Sequence, residues 1–241
     1  MHSFIFNGKM SSEFDTDVTN VIIQKSGKRQ RPIEQIDIYE IPYRNENLVI
    51  HSGKYKSYIQ EFEMMVRDAQ QIPRINTWLS GRGKLILEKD IMKYYRCGFY
   101  YASVIEGWEY EKINNSNDIY TFKVKFQVDP FFYYDGGQKK KIYANTPLTI
   151  INFGNIYSEP YIKINGSGDI SLTVNDQICN FTNIQDYIEI DSSLMVAYKD
   201  TLNQGNKMYG DFPVFPVGKV EISWTGNVSS VEIKTRERDL G

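Results

Sequence analysis

The sequence predicts a mainly-β protein of two domains, with one short helix in the first domain. Aromatic residues make up 14% of its 241 residues, and 18 of them are tyrosines, which favour half-buried strands. Most apolar segments are short and alternate with polar residues, as in antiparallel strands with one face in water. A glycine- and lysine-rich segment, DGGQKKK, interrupts this alternation at mid-chain. We therefore place a first domain, a β-barrel or β-sandwich, at residues 1–137, a linker at 138–146 and a second domain at 147–241.

The first domain is predicted to begin with a hairpin in SFIFNG, whose apolar residues precede the turn-forming pair Asn7-Gly8. Two further strands, TNVIIQ and the alternating segment IEQIDIYEI, flank a basic turn, KSGKRQRP. The segment YKSYIQEFEMMVR fits a strand best. Every second residue from Tyr58 to Val66 would then lie on one face, with Gln60 as the single polar exception.

One segment of the first domain, QQIPRINTWLSGRG, predicts an α-helix. Pro73 suits the first turn of a helix, and Gly81 suits the position after its end. Its apolar residues form one stripe at helical spacing: Ile72, Ile75, Trp78 and Leu79. Further along, YTFKVKFQV alternates apolar and polar residues, which predicts a strand with one wet face.

The second domain is predicted to be an antiparallel β-sandwich, because its strands are short and separated by regular turns. Near its end, the segment GDFPVFPVGKVEISWTG combines a strand with two prolines. Pro213 and Pro216 cannot donate to a neighbouring strand, so FPVFPVG is expected to be a loop whose aromatic residues plug the end of the sandwich. Trp224 alternates with Val220 and Ile222 and is therefore expected in the core.

Composition argues against several classes of partner. The 30 acidic and 28 basic residues nearly cancel, which predicts neither nucleic-acid binding nor attraction to an anionic membrane. No segment approaches the ~20 apolar residues of a membrane helix, so no membrane insertion is expected. The opening MHSFIFNGKM does not resemble a secretory signal, so we expect a soluble protein made inside a cell.

Two well-separated cysteines, Cys97 and Cys179, are expected to be free and buried.

No residue pattern predicts a catalytic, cofactor or metal site. His2 and His51 are the only histidines, and their spacing to the cysteines fits no metal motif. The segment GRGKLI lacks the ending of a phosphate-binding loop and leads from a helix to a strand, the reverse of that motif. Glu109 and Glu111 alternate with aromatic residues, which is typical of a solvated strand face and not of a catalytic pair. We therefore expect no enzyme activity.

Two groups of residues are candidates for binding. The first is the basic turn, which either is a solvated hairpin tip or grips another protein; its residues are Lys25, Lys28, Arg29 and Arg31. Nucleic acid is a weaker alternative, because no aromatic residue is interleaved with these charges. The second group is Tyr209 and Phe212, which lie outside the predicted strands and are candidates for stacking on sugar rings.

Five segments together resemble the distal tail protein (Dit) family of long, non-contractile-tailed bacteriophages and prophages. They are, in chain order, FNGKMSSEF, INTWLSGRGKLIL, YTFKVKFQVDPFFY, TIINFGNIYSEPYIKINGSGDISLTVN and GDFPVFPVGKVEISWTG. Their order and spacing hold over almost the whole chain. Two places depart from the family pattern: Lys219 stands where members often have asparagine, and IPYRNENLVI lacks two glycines of a turn.

The resemblance implies a non-enzymatic hub in the virion tail, assembled in the cytoplasm of a bacterial host. Family members form a hexameric ring at the far end of the tail tube. The first domain, similar to tail-tube proteins, makes the ring, and the second, a galectin-like sandwich, points outward. The implied partners are further copies of the chain, the tail tube protein, the tail-associated lysin or tip protein and a receptor-binding protein. A lectin-like module that binds cell-wall carbohydrate in host recognition is the alternative from another class, and a glycosidase fused to a binding domain is third.

Overall fold

A computed structural model describes residues 4–11, 22–26, 32–87, 97–113 and 118–241, and for 22–26 the backbone alone. The chain divides into two compact units. The first comprises the chain up to Phe132 together with Leu240 and Gly241, and the second comprises Tyr133–Asp239. Antiparallel strand pairs build both units, and the described residues contain one α-helix, which confirms the predicted mainly-β fold class.

Most strands of the first unit pair in one sheet. In chain order its elements are β1 (Phe4–Phe6), β2 (Lys9–Met10), β3 (Ile22–Ser26), β4 (Glu34–Glu40), β5 (Asn47–Tyr55), β6 (Tyr58–Val66), α1 (Ile72–Trp78), β7 (Arg82–Leu87), β8 (Gly98–Val104), β9 (Glu111–Lys112) and β10 (Tyr120–Tyr134). The sheet has the order β2-β1-β7-β8-β10-β6-β3, and β9 also pairs with β10, as does the C-terminal strand β20 (Arg238–Leu240). Strands β4 and β5 pair with each other in a separate two-stranded sheet.

The sheet of the first unit curls around an aromatic cluster. Strands β1 and β6 are far apart in the strand order, yet the ring centroids of Phe4 and Phe62 lie 4.5 Å apart. Phe126 of β10 packs edge-on against Phe4 and Phe6, with centroid distances of 5.7 and 4.9 Å. The sheet must therefore curve until β1 faces β6 and β10, as strands do in a barrel.

Helix α1 packs on this cluster through Trp78. The indole lies nearly parallel to the ring of Phe4, with 5.5 Å between centroids, and its Nε1–H donates to the carbonyl of Phe6 at 2.8 Å. Pro73 stands in the first turn of the helix, and Gly81 follows its end with φ +71°. The predicted helix is confirmed, with the start and stop residues in their expected roles.

The alternating patterns of β6 and β10 place every second side chain in the core. The buried residues are Tyr58, Gln60, Phe62, Met64 and Val66 in β6, and Phe122, Val124, Phe126 and Val128 in β10. The two strands pair along this whole stretch, from Tyr120 opposite Val66 to Val128 opposite Tyr58. Both predicted strands are confirmed.

The second unit is a two-layer β-sandwich built on two long strands. Its strands are β11 (Lys141–Tyr143), β12 (Leu148–Asn152), β13 (Tyr161–Val174), β14 (Gln177–Ile184), β15 (Tyr187–Asp191), β16 (Val196–Lys199), β17 (Leu202–Asn203), β18 (Met208–Tyr209) and β19 (Gly218–Lys234). The first part of β13 pairs with β15 and its last part with β14. Likewise β19 pairs with β12 near its start and with β11 near its end. Because β13 and β19 pair with each other throughout, both strands pass from one layer to the other.

Strands β13 and β19 pass between the layers at bulges, and a glycine is required beside one of these bulges. The register of β13 against β19 shifts after Asn165 and again after Ser167. Gly226 of β19 has φ +102°, and a Cβ atom there would lie 2.4 Å from the carbonyl oxygen of Asp169. A side chain at this position would be strained and would also clash with the neighbouring backbone.

The segment before β19 closes the sandwich core. Phe215 is fully buried, and its backbone exchanges two hydrogen bonds of 2.9 Å with Ser158. The side-chain amide of Asn152 donates to the carbonyls of Phe215 and Pro216, at 3.1 and 3.2 Å. Trp224 is 7% exposed and belongs to the same core. The predicted proline-containing loop, its plugging role and the buried Trp224 are confirmed.

Two parts of the chain differ from what the sequence led us to expect. Residues 141–143, within the expected linker, form β11 and pair with β19, because Tyr143 turns inward to pack on the sandwich core despite the preceding lysines. Cys179 is free and buried, as expected. The expectation was wrong for Cys97, which is exposed because it precedes β8 and lies outside the buried part of that strand.

A buried ion pair joins the end of β15 to the chain that follows β19. The two carboxylate oxygens of Asp191 accept from the guanidinium of Arg236, each at 2.7 Å, and Asp191 is 5% exposed. Oδ1 also accepts from the backbone N–H groups of Ser193 and Leu194. Burial acts to raise the pKa of Asp191, but the hydrogen bonds and charge of Arg236 outweigh it, so the pKa lies below its ordinary value.

Asp191→Asn should lower the free energy of unfolding at neutral pH by about 3 kcal/mol, because it leaves the guanidinium of Arg236 without its counter-charge in a largely buried place. The folded pKa of Asp191 is depressed, so its contribution is present above the unfolded value of 3.8 and is lost as pH falls through the lower folded value. Denaturant unfolding from about pH 7 to about pH 2.5 should show the two proteins converging below about pH 4. A difference that does not change with pH would contradict this account.

Candidate functional site

Strands β4 and β5 form a hairpin outside the two large sheets. Its residues pair from Glu34 opposite Tyr55 to Glu40 opposite Asn47. All residues in the ranges 35–40 and 47–54 are exposed. An isolated two-stranded hairpin is marginally stable in water, because it has too little apolar surface to bury. Among the described residues, no further strand pairs with either edge of the hairpin, and both of its faces are exposed.

Both faces of the hairpin carry apolar side chains. They are Ile36, Ile38 and Val49 on one face, and Tyr39, Leu48 and Ile50 on the other. Their exposed fractions lie between 43% and 57%. Apolar residues on both faces are typical of a strand that is covered on both sides. The hairpin thus has the sequence of a buried element, although no described residue covers it.

The base of the hairpin is anchored to the first unit. The ring of Tyr55 packs edge-on against Phe131 of β10, with centroids 5.9 Å apart. A bulge after Glu34 places its carboxylate 3.0 Å from Nδ1 of His51, and the carboxylate also accepts from the N–H of Gly53 at 3.2 Å. The hydrogen bond with His51 is the largest cause that holds the pKa of Glu34 below its ordinary value. Beyond this fixed base, the arm is held by its own ladder of hydrogen bonds.

The tip of the hairpin presents an aromatic ring to solvent. The backbone N–H of Arg44 donates to the carbonyl of Ile41 at 3.1 Å and closes a turn. Within this turn, Tyr43 has φ +66° and an exposed fraction of 107%. A positive φ is common for glycine but uncommon for a residue with a bulky side chain. Tyr43 therefore holds an unfavourable backbone conformation while its side chain contributes no burial to its own chain.

The first unit also contains an open groove of about 510 Å³ between β6, β10 and residues 106–111. The half-buried Trp108 lines it and stacks on the buried ring of Phe122, with centroids 5.7 Å apart at an interplanar angle of 28°. Its charged residues are Glu63, Glu106, Glu109, Glu111, Lys123 and Lys125. With four carboxylates against two ammonium groups, this acidic groove carries net negative charge.

Ion pairs neutralise only half of the carboxylates in the acidic groove. Lys123 lies 3.1 Å from Glu63, and Lys125 lies 2.7 Å from Glu106. Each carboxylate raises the pKa of its lysine, first by the hydrogen bond and then by its charge. Within the part of the chain that the structure describes, the other two carboxylates form no ion pair. Glu111 nevertheless acts on Lys123 through its charge, which is one of the causes that raise the pKa of that lysine.

The basic turn that the sequence singled out lies largely outside the described residues. Lys25 is in β3, where its Cα is paired with that of Glu63 in β6. Lys28, Arg29 and Arg31 are not among the described residues. The turn as a protein-binding site therefore stays a prediction.

The two residues singled out for sugar stacking do not form one platform. Tyr209 is 58% exposed on the short strand β18. Phe212 is partly buried and packs against the sandwich core. Stacking on a sugar at this place would rest on Tyr209 alone.

The structure also limits the chemistry of the described residues. Among them, no group of three or more His, Cys, Asp or Glu side chains is placed to hold a metal ion. None of their helices has the length and apolar character to cross a membrane.

The hairpin was not singled out from the sequence, although one signal was present: the apolar run Leu48–Ile50 breaks the alternation of a strand with one wet face.

Comparison with known proteins bears on the fold. No protein-family model matches the sequence, and no curated protein matches it either. Among solved structures, the chain is similar to the crystal structure of the Dit protein of SPP1, described as a paradigm of the hub adsorption apparatus in phages that infect Gram-positive bacteria. The superposition has a TM-score of 0.71 and covers 97% of this chain and 98% of that chain, at 10% sequence identity. This chain has the Dit fold.

The Dit fold spans both units, because the superposition includes nearly the whole of each chain. The fold that the five sequence segments implied is therefore confirmed. The two chains share this fold although only 10% of their residues are identical. In this Dit fold, the hairpin and the acidic groove both belong to the first unit. That unit is the part to which the resemblance assigns ring formation.

Amide hydrogens of residues 34–55 should exchange faster than those of β6 and β10. The hydrogen bonds of the hairpin are exposed on both faces, whereas β6 and β10 each bury one face in the aromatic core. Hydrogen exchange followed by mass spectrometry on a dilute sample tests this, with peptides from β13 and β19 as the slow reference. Equal protection of the hairpin and β6 would contradict the described exposure.

Proposed function

We propose that this protein is a structural, non-enzymatic hub at the distal end of a phage tail. In this function it joins the tail tube to the tail tip and the host-adsorption apparatus. The shared fold with SPP1 Dit supports the proposal, since that protein is described as a hub of such an apparatus. The observation that carries it in this chain is the hairpin of β4 and β5, an apolar arm without cover in the described residues.

A hub must bind further copies of itself, and the hairpin has the properties of an assembly element. Its apolar side chains cover both faces, so it fits between two layers of protein better than against one. Burying such surface removes it from water, and contributes roughly 25 cal/mol per Å² of apolar area. A closed ring would cover the arm in every copy. We propose a hexamer of the first unit, in which residues 1–137 form the ring and its channel.

The second unit serves the outward face of the hub in this proposal. The residues of its core all lie within 133–239, so we expect this unit to fold without the first. A galectin-like sandwich of this kind would carry or position the receptor-binding protein, while the ring contacts the tail tube protein and the tail-associated lysin or tip protein. The chain would act in the virion tail after assembly in the bacterial cytoplasm.

The lectin-like alternative has less support in this chain. Trp224, the largest aromatic residue near the end of the chain, is in the core. Phe212 also packs inward, which leaves Tyr209 as the exposed member of the candidate pair. Sugar-binding modules use several aromatic faces or many hydrogen bonds, and one tyrosine supplies neither.

Ile38→Lys should prevent ring formation, because it places a charge in the centre of an apolar face that assembly would bury. The melting temperature of the monomer should hardly change, since Ile38 is 57% exposed. Ile178→Lys is the matched control: it makes the same substitution at a residue of β14 that is 56% exposed in the other unit. Light scattering and negative-stain electron microscopy of the wild type and both variants measure the effect.

The wild type should give closed rings at high concentration, the control should match it, and Ile38→Lys should stay monomeric. A wild type that remains monomeric at all concentrations would count against the hub. Rings that survive Ile38→Lys would show that the hairpin does not carry assembly.

The triple change Lys28→Ser, Arg29→Ser and Arg31→Ser should weaken ring formation or docking to the tail tube, with an effect that shrinks as salt is added. Single exposed ion pairs contribute only ~0–1 kcal/mol, but contacts repeated around a ring add together and are screened by salt. Sedimentation at about 50 mM and about 500 mM salt compares the triple variant with the wild type. Normal assembly at both salt concentrations would mean that the basic turn is only solvated.

A further inference from the structure

We propose that strand β12 of the second unit receives an extended, uncharged segment of another tail protein as an added strand. The inference names the place on the second unit where a carried component attaches, and the identity of the partner as a tail protein rests on the proposed function. The open edge of β12 is a property of this chain alone. Strand addition draws its affinity from main-chain hydrogen bonds and its specificity from alternate side chains.

Strand β12 is an edge strand without the usual protection. It pairs with β19 on one side, and no described strand pairs with its other side. Edge strands are ordinarily kept from further pairing by shortness, lysines, prolines or bulges. In β12 the five residues, LTIIN, include no charged residue and no proline. Their register against β19 is unbroken from Leu148 to Asn152, so no bulge turns this edge away.

The other strands that pair on one side in the second unit do carry such protection. Strands β17 and β18 have two residues each, which is too short to receive a further strand. Strand β11 has three residues, and it lies within a run of lysines, Lys139–Lys141. The contrast selects β12 as the open edge of this unit.

The hydrogen bonds of β19 show which main-chain groups of β12 are open. The N–H of Asn175 donates to the carbonyl of Glu221, and the N–H of Glu221 donates to Oδ1 of Asn175, both at 2.8 Å. Both groups of Glu221 therefore point away from Thr149, which lies opposite it in β12. Opposed residues of an antiparallel pair exchange both hydrogen bonds or neither, in alternation. The N–H and C=O groups of Thr149 and Ile151 thus point to the open side, where no described residue bonds to them.

The side chains along this edge suit an uncharged, apolar segment. Outside the sandwich lie Ile151, Phe153 and Val217, with exposed fractions between 48% and 59%. Val217 belongs to this surface because it precedes Gly218, which is paired with Asn152. On the other face of β12, Leu148 and Ile150 belong to the rim of the core. An added strand would place one set of its side chains beside each of these apolar surfaces.

The length of the open edge fits a short segment better than a second copy of this chain. Pairing β12 with the β12 of another copy would engage its five residues on each side, against the ~20–30 of a stable interface between folded proteins. An extended segment needs no such area, because its own protein is held in the tail by further contacts and reaches this edge at a high effective concentration.

The first experiment offers the full chain a peptide that can only add as a strand. The probe alternates threonine and valine, has no charged side chain and carries a terminal fluorescent label. Its control is the same peptide with N-methyl groups on alternate residues, which removes the donors along one edge. Fluorescence anisotropy should show binding of the first peptide and not of the second. Hydrogen exchange should then slow at residues 148–153, because the N–H groups of Thr149 and Ile151 become bonded.

Two variants of Ile151 should close the edge and weaken peptide binding ~tenfold or more. Ile151→Lys places a charge beside the edge. Ile151→Pro removes the open N–H and leaves the hydrogen bonds to β19 in place. Ile178→Lys is the matched control, since it adds the same charge at an equally exposed residue of β14, and it should bind the peptide as the wild type does. Thermal melting shows that each variant is folded.

Three results would overturn the proposal: no binding of the alternating peptide to the wild type, equal binding of the N-methylated peptide, or undiminished binding to the Ile151 variants. Slower exchange at residues 148–153 that appears with protein concentration alone, and is lost in Ile151→Lys, would assign the edge to a second copy and would also overturn it. Peptide binding does not require rings. A wild type that binds the peptide but forms no rings would support the open edge and count against the hub.

Discussion

The ring of Phe126 is the contact on which the first unit depends. It packs against Phe4 and Phe6 of β1 and against Phe62 of β6, and so brings together strands that are distant in the sheet order. A flat sheet would leave these rings in water. Burying them forces the sheet to curve, and Trp78 then closes the cluster and satisfies the carbonyl of Phe6 in the same contact. Helix α1 has its place because of this cluster.

Curvature of the sheet has a consequence for the hairpin. The chain enters β4 after β3 and leaves β5 just before β6, so the hairpin is tied to the sheet at its base and nowhere else in the described chain. The curled core is already filled by aromatic and aliphatic residues of the other strands. The apolar side chains of the hairpin therefore have no place in the core of their own subunit. No described residue covers them, and in the proposed ring a neighbouring copy would supply that cover.

The apolar residues of the second unit pack against one another in a core of its own. Strands β13 and β19 bend at their bulges and contribute to both layers, so the two layers share a continuous backbone and one core. The loop that contains Phe215 closes this core, and Asp191 with Arg236 secures the chain after β19. The buried residues of this core all belong to the second unit.

Much of the fold could be predicted from local sequence, because strands and turns depend on neighbouring residues. The alternation in β6 and β10, the helix between Pro73 and Gly81 and the buried Trp224 follow from spacing alone. The strand at residues 141–143 was not predicted, because it follows a run of lysines and only Tyr143 packs on the core. The groove was not visible either, because Glu63 and Glu109 are distant in sequence and meet only when the sheet has formed.

By itself, the sequence determined many of the strand segments, where the helix begins and ends, and which face of β6 and of β10 is apolar. Those properties depend on side-chain spacing and on the backbone preferences of proline and glycine. Only the tertiary structure decided whether an apolar face is buried. IEQIDIYEI and YIQEFEMMV both read as strands with apolar faces, yet the first is exposed and the second is in the core. Burial depends on what packs against a strand, and that is settled by the whole chain and its partners.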